Sequence, residues 1–299
     1  MPAIRGRASL PVDRWPCPDS QLLFPSRATT QGGFDETSRC VRNKPLGFNM
    51  AKDESSNDAV ARQRAYYART ADAYDAHHLA AQGEHEYALT LVAGLAMSLG
   101  ARTIVDVGAG TGRSLRFLRQ LLPPDISIIG VEPVPELVAV GHANGLTPEE
   151  LVVGDGTKLP FANESVDFAI ATGVLHHVPK PRIVLDEMKR IATKGIFISD
   201  GNRFAQGSLP ARAVKLGLWS AGLWKAFDLV RTRGKGYMES PGDGVFYSYS
   251  VYDDLPHLSA WARRTMVVPL DPEARLKKTW LARLGPLMTS SHVLVGALR

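Results

Sequence analysis

Cysteine is almost absent: the 299 residues contain two, Cys17 and Cys40, both among the first fifty positions. No disulfide framework and no thiolate metal cluster can be built from them, and no thiol in the body of the chain can serve as a nucleophile. Long apolar runs are missing as well. None approaches the ~20 residues that span a bilayer, and the N-terminus lacks the unbroken apolar core of a secretory signal. A cytoplasmic protein is expected. Nor is there a dense basic block. Lys and Arg number 35 against 30 Asp and Glu, a net +5, but they are scattered, without the interleaved aromatics of an RNA-binding stretch. Solvated surface charge accounts for that balance, so no nucleic-acid partner is expected. What remains is 44% hydrophobic and 22% charged, enough for a core domain of ~150–200 residues with additions.

Residues 1–49 differ from the rest, with Pro2, Pro11, Pro16, Pro18, Pro25 and Pro45 and no sustained periodicity. The first expectation is a disordered tail. A start at Met50 is a second, and an organelle-targeting segment, interrupted by Asp13, Asp19, Asp35 and Glu36, a third. Residues 50–299 then form one domain. Residues 58–100 favour helices closed at Gly100, 101–200 form a core, 201–260 an insertion, and 261–299 the last strands.

Apolar runs at Thr103–Val107, Ser127–Val131, Leu151–Val153, Asp167–Thr172 and Gly195–Ser199 alternate with helical patterns at about Gly112–Leu122, Pro135–Asn144 and Pro181–Ile191. Such alternation predicts a doubly wound α/β protein, its parallel sheet covered on both faces. Two further strands are expected at Arg263–Val268 and His292–Leu298.

The strongest motif is Ile104-Val105-Asp106-Val107-Gly108-Ala109-Gly110-Thr111-Gly112, a strand running into a glycine-rich turn that opens a helix. Ligands of open α/β sheets bind at that edge, and glycines there admit positive φ and close approach. Dinucleotide binding would want a glycine at 113, where this chain has Arg113. The Asp106 carboxylate also opposes a pyrophosphate and suits a cofactor carrying positive charge. Glu132, ending Gly130-Val131-Glu132-Pro133, lies where an acid can hold ribose hydroxyls, a device that nicotinamide enzymes share. Asp155 and Gly156 lie in Val153-Gly154-Asp155-Gly156, where a carboxylate can meet an exocyclic amine. The last motif is Ala171-Thr172-Gly173-Val174-Leu175-His176-His177-Val178.

Taken together, in order and spacing, these four motifs over residues 104–200 resemble the class I S-adenosylmethionine-dependent methyltransferase superfamily. Its type 11 group, with the ubiquinone and menaquinone biosynthesis methyltransferases, is the part resembled. The segment Tyr66-Tyr67-Ala68-Arg69-Thr70-Ala71-Asp72-Ala73-Tyr74-Asp75 resembles the N-terminal helix of that group. The resemblance implies a Rossmann-like, mostly parallel sheet with an antiparallel C-terminal strand, N-terminal helices and a helical insertion after the fifth strand. It implies S-adenosyl-L-methionine as cofactor, with Gly108, Ala109, Gly110, Thr111 and Gly112 around the methionine part and Glu132 on the ribose. Asp155 and Gly156 would meet the adenine, and Thr172 and Val174 would line the floor. Where the group usually has Lys-Pro-Gly-Gly before the fifth strand, this chain reads Ala192-Thr193-Lys194-Gly195. The resemblance does not extend to residues 201–260, so it names no methyl acceptor.

Other residues carry two readings each. Asp106 is a cofactor-site acid or a helix cap. His176 or His177 is a general base or shapes the site. Tyr74 and His85 on the N-terminal helices, with Tyr247 and Tyr249 in the insertion, wall an acceptor pocket or pack a core; His77 and His78 read as surface residues. Residues 209–235 form a lid helix packed on its apolar face or touch a membrane peripherally. No metal site is expected. The function these readings support is methyl transfer to a small acceptor, aromatic or lipid-linked. A non-catalytic S-adenosylmethionine-binding subunit and a nicotinamide-dependent oxidoreductase are the alternatives.

Overall fold

The computed structural model describes residues 48–77, 82–271 and 286–299. Cys17, Cys40, His78 and the expected tail up to residue 47 lie outside the described residues.

The first helix, α1 (Phe48–Thr70), begins some way before the expected Asp58. A 3₁₀ turn (Ala71–Ala73) leads to α2 (Tyr74–His77), and α3 (Gln82–Ser98) follows. Gly100 closes α3 as expected. At φ +62° it lets Ala101 N–H reach Ala96 C=O and Gly100 N–H reach Met97 C=O, the paired bonds of a Schellman cap. Strands and helices then alternate: β1 (Thr103–Val107), α4 (Arg113–Leu121), β2 (Ser127–Glu132), α5 (Pro135–Ala143), β3 (Leu151–Val153), β4 (Val166–Thr172), α6 (Pro181–Ile191) and β5 (Ala192–Gly201). The divergent Ala192-Thr193-Lys194-Gly195 is no loop: α6 ends at Ile191 and the strand begins at the next residue.

The insertion holds α7 (Leu209–Ser220), α8 (Trp224–Arg231), an antiparallel hairpin of β6 (Met238–Ser240) and β7 (Gly244–Phe246), and α9 (Val251–Trp261). The insertion is helical as expected, with one short hairpin added between α8 and α9. The chain closes with β8 (Arg264–Pro269), α10 (Pro286–Thr289) and β9 (His292–Leu298).

Seven strands form one sheet in the order β3-β2-β1-β4-β5-β9-β8. The first five are parallel, and β9 runs antiparallel between β5 and β8. Strand alternation sends side chains to opposite faces. Phe168 and Ile170 pack with Phe197, Leu294 and the apolar sides of α3 and α4, whereas Ala169, Ala171, Ile196 and Val295 pack with α6 and α9. Both faces are therefore buried, and this is why the strands read as apolar runs rather than alternating ones.

Residues 209–235 depart from the packed-lid reading. Only Arg212 on α7 and Trp224 on α8 are buried, while Val214, Leu223, Phe227 and Val230 are exposed, Val230 at 79%. Arg203 spans the gap to the body, its guanidinium 4.7 Å from the Trp224 ring and paired with Asp253. Among the described residues no helix is long and apolar enough to cross a membrane.

Candidate functional site

The glycine loop joins β1 to α4 at the carboxyl end of the sheet. Gly108, Gly110 and Gly112 have φ of +76°, +57° and +74°, values that side-chain-bearing residues rarely adopt. At Gly108 a Cβ would also lie 2.7 Å from the methyls of Val174, a clash across the groove between β1 and β4. The N–H groups of Gly108 and Ala109 donate to Val131 C=O at 2.8 and 3.1 Å, and Gly110 N–H donates to Glu132 Oε2 at 2.9 Å. A pyrophosphate seated on this loop would need such donors free; here three in a row are taken.

Asp106 is 1% exposed and both its oxygens are buried without a hydrogen-bond partner. Burial pushes its carboxyl up to about 7; the nearby Ser114 hydroxyl offsets this in part and the Glu132 charge adds to it. Glu132 is also buried and raised to about 7 by desolvation, against the N–H bonds from Gly110 and Val134. Each of its oxygens accepts one N–H and keeps capacity for a further donor.

Two cavities flank the loop. One, of about 320 Å³, is lined by Glu132, Val134, Asp155, Gly156, Thr157, Val174, Val178 and Ile183. The other, of about 850 Å³, is lined by Ala109, Thr111, Arg113, Thr172, His85, His176, Trp224, Phe246, Tyr247 and Tyr249, among others. Tyr67, Tyr74, Gly108, Gly173 and His177 border both. Most of the expected cofactor residues and all four expected acceptor-side residues thus border these cavities, whereas Asp106, Gly110 and Gly112 line neither. Tyr74 sits over the loop, where a Cβ at Gly110 would be 3.3 Å from its ring.

Asp155 is less available than its position suggests. Oδ1 accepts from the N–H and hydroxyl of Thr157, and Oδ2 pairs with Arg64 of α1 at 2.5 Å. Partial burial works against its charge, but Thr157 and Arg64 outweigh this and hold the carboxyl below its usual range. Arg64→Ala is expected to change stability by less than about 1 kcal/mol, since half-exposed ion pairs contribute little. A melting curve checks this, and a larger loss would mean that the Arg64 stem packs the helix onto the core.

Several residues were not foreseen. Asp75 accepts from the Thr111 hydroxyl at 2.5 Å and from Arg116 at 3.1 Å, tying the N-terminal segment to the loop. Arg113, which broke the dinucleotide fingerprint, lines the larger cavity with its Nη1 buried and unpartnered. Asp200, 1% exposed at the end of β5, accepts from Leu175 N–H, His176 N–H and Gly201 N–H, and from His176 Nδ1 at 2.8 Å. Asp243, between β6 and β7, faces His176 and His177. Burial would lower His176, but Asp200 and Asp243 outweigh it and raise it to about 10. An imidazole held so high is protonated near neutrality and has no lone pair to act as a base. His85 shows the opposite: burial, aided by His292, pushes it down to about 4, and its Nδ1 is buried without a partner.

An open sheet with a glycine loop after its first strand, an acid ending the second and loop N–H groups that are already bonded is a Rossmann-like fold whose crevice disfavours an anionic ligand. Residues 105–199 match the methyltransferase domain family. The chain is 38% identical over 99 residues to an uncharacterized methyltransferase of Mycobacterium marinum, a match covering 33% of this chain and 38% of that one. It is 32% identical over 146 residues to one of Mycobacterium tuberculosis, covering 48% and 56%. The matched stretches thus span about half or less of these relatives' own length. The solved DhpI–SAH complex superposes with a TM-score of 0.50 at 14% identity, over 82% of this chain and 98% of that one, and shares the fold. Over residues 105–199 the chain is therefore similar to methyltransferase domains, and its wider fold is that of the DhpI–SAH complex.

Proposed function

We propose that the protein transfers a methyl group from S-adenosylmethionine to a small-molecule acceptor, part apolar and part polar, held in the larger cavity. The observation that carries this is Asp106: a buried carboxylate with no partner, beside a loop whose N–H groups are already used. Such a site disfavours an anion and favours the ammonium of a methionine end. Arg113, with its own orphaned donor, is placed to take the carboxylate of that end. Glu132 has capacity left for ribose hydroxyls, and Val134, Val174 and Val178 offer apolar walls for a base. When bound, the cofactor supplies an electrophilic methyl on a cationic sulfur. The chain's residues then have to align the acceptor and exclude water. Tyr74 and His177, bordering both cavities, stand at the junction where transfer would occur, and the Trp224, Phe246 and Tyr247 rings suit an aromatic or lipid-linked acceptor.

Calorimetry with S-adenosylhomocysteine and with NADH tests the cofactor, and incubation with methyl-labelled S-adenosylmethionine and a metabolite extract tests transfer. The homocysteine compound should bind with micromolar Kd, about 8 kcal/mol, and raise the melting temperature. Tight NADH binding with no binding of either adenosyl compound would end the proposal. Binding without any labelled product would favour the non-catalytic alternative.

A further inference from the structure

We infer that α8 and the turn after it dock this chain on an anionic lipid surface, beside the larger cavity.

The helix has two unlike sides. Trp224 is turned inward, its ring 4.7 Å from the Arg203 guanidinium, and Arg231 pairs with the half-buried Asp228. Leu223, Phe227 and Val230 follow one another at spacings of four and three, so they share another side. All three are exposed, Leu223 at 54% and Val230 at 79%. The apolar stripe of a globular-protein helix normally faces the core. Here part of it faces outward, and such a row marks a surface that something covers.

Charge decides what can cover it. Residues 224–236 hold Lys225, Arg231, Arg233 and Lys235 against Asp228 alone. Among the described residues no carboxylate pairs with Lys225, Arg233 or Lys235, and all three are exposed. An occupant must therefore be apolar where it meets Phe227 and Val230 and anionic around them. The remaining parts of the chain have the wrong sign. Residues 1–47 carry seven Lys and Arg against four Asp and Glu, and residues 272–285 carry four against one. A second copy fails in the same way, since a two-fold contact would set this basic face against itself. A lipid surface with acidic headgroups meets both demands. Interfacial helices lie with their apolar side chains at the acyl boundary, while Lys and Arg stems reach up to the headgroups.

The same helix walls the larger cavity through Trp224 and Arg231, with Lys215 of α7 beside them. A lipid surface on α8 thus lies next to the cavity, and an acceptor anchored in it has a short way in. That consequence rests on reading the cavity as an acceptor pocket; the docking does not.

Flotation of the full chain with vesicles tests it, using phosphatidylcholine alone and an equimolar mixture with phosphatidylglycerol, at low and high salt. Binding is expected to the mixed vesicles only, and it should weaken as salt rises. Lys225→Gln/Arg233→Gln/Lys235→Gln should weaken it on the order of a hundredfold, from about fivefold per cation. Phe227→Ser/Val230→Ser keeps every charge and should weaken it about tenfold or more. Because these five side chains are exposed, both variants should keep the melting curve and S-adenosylhomocysteine affinity of wild type. Vesicle binding by a wild-type chain that fails to bind S-adenosylhomocysteine supports the docking and counts against the cofactor alone. No binding to the mixed vesicles overturns the docking, as does equal binding to phosphatidylcholine alone. So does binding that the serine pair leaves unchanged, which is adhesion by charge. A wild-type dimer that the serine pair converts to a monomer also overturns it, with a second copy as the occupant.

Discussion

Asp106→Ala is expected to bind S-adenosylmethionine and S-adenosylhomocysteine about ten- to a hundredfold more weakly than wild type, and to be the more stable protein without cofactor at pH 8. The first effect is the loss of a hydrogen bond to a charged partner, roughly 1.5–3 kcal/mol. The second follows from burial. A carboxyl raised in the fold from 3.8 to about 7 binds more protons folded than unfolded between those values. Stability therefore falls as pH rises from about 4 to about 7, and above 7 the whole penalty of an unpaired buried charge is present. The alanine variant lacks that penalty but leaves a small void. It should be slightly less stable than wild type at pH 5 and more stable at pH 8, so the order of their melting temperatures inverts. Glu132, raised from 4.5 to about 7, keeps a pH slope of the same sign in both proteins. Thermal scans at the two pH values with calorimetry at pH 8 decide it. An alanine variant with unchanged cofactor affinity would remove Asp106 from the site, and one destabilised at both pH values would mean that a water or a side chain pairs it.

What the sequence discloses here is what depends on neighbours along the chain. Thr103–Val107 and His292–Leu298 could be read to the residue because strands buried on both faces must be continuously apolar, and Leu151–Val153, at the sheet edge with Val153 exposed, because its short apolar run is bounded by polar residues and a glycine. The glycine loop and Glu132 could be read because one turn and one strand end define them. The contacts that tie the loop to the N-terminal segment could not. Asp75 on Thr111 and Gln63 on Asp243 join residues 36 and 180 positions apart, and no local pattern encodes a partner at that distance. Asp155 illustrates the same limit: its strand-end position is local information, whereas its capture by Arg64, 91 residues earlier, is not. In α7 and α8 the apolar residues suggested a packed face, yet Val214, Leu223 and Val230 face outward. Amphipathic spacing says which residues share a side of a helix, not whether anything covers it. Tyr247 and Tyr249, two residues apart, looked equivalent in sequence; both border the larger cavity, but only Tyr249 is also packed into the cluster between α9 and the sheet.

Tyr249→Ala should cost roughly 3–5 kcal/mol, the range for removing a large ring from a packed core. Its side chain is 9% exposed and belongs to the cluster that joins α9 to the sheet, with Val251, Leu258 and Val293. In a chain of this size that loss lowers the melting temperature by roughly ten degrees. Tyr249→Phe isolates the hydroxyl, which is buried and makes no hydrogen bond. Removing a polar atom already desolvated without a partner is neutral or stabilising, so the phenylalanine variant should melt at or above wild type. Tyr247 differs. It is half-buried on the cavity wall beside Tyr237, its backbone N–H on His176 C=O at 2.7 Å, and burial raises its phenol to about 12. Tyr247→Ala should therefore cost less stability than Tyr249→Ala and should reduce labelled-methyl transfer to acceptor, with S-adenosylhomocysteine affinity within about twofold of wild type. Melting curves, calorimetry and transfer assays on the three variants separate the roles. If Tyr249→Ala keeps its melting temperature and loses only transfer, Tyr249 is a pocket residue and the core is closed by its neighbours. If Tyr247→Ala weakens cofactor and transfer equally, that ring supports the cofactor groove, and the acceptor is held by other walls of the cavity.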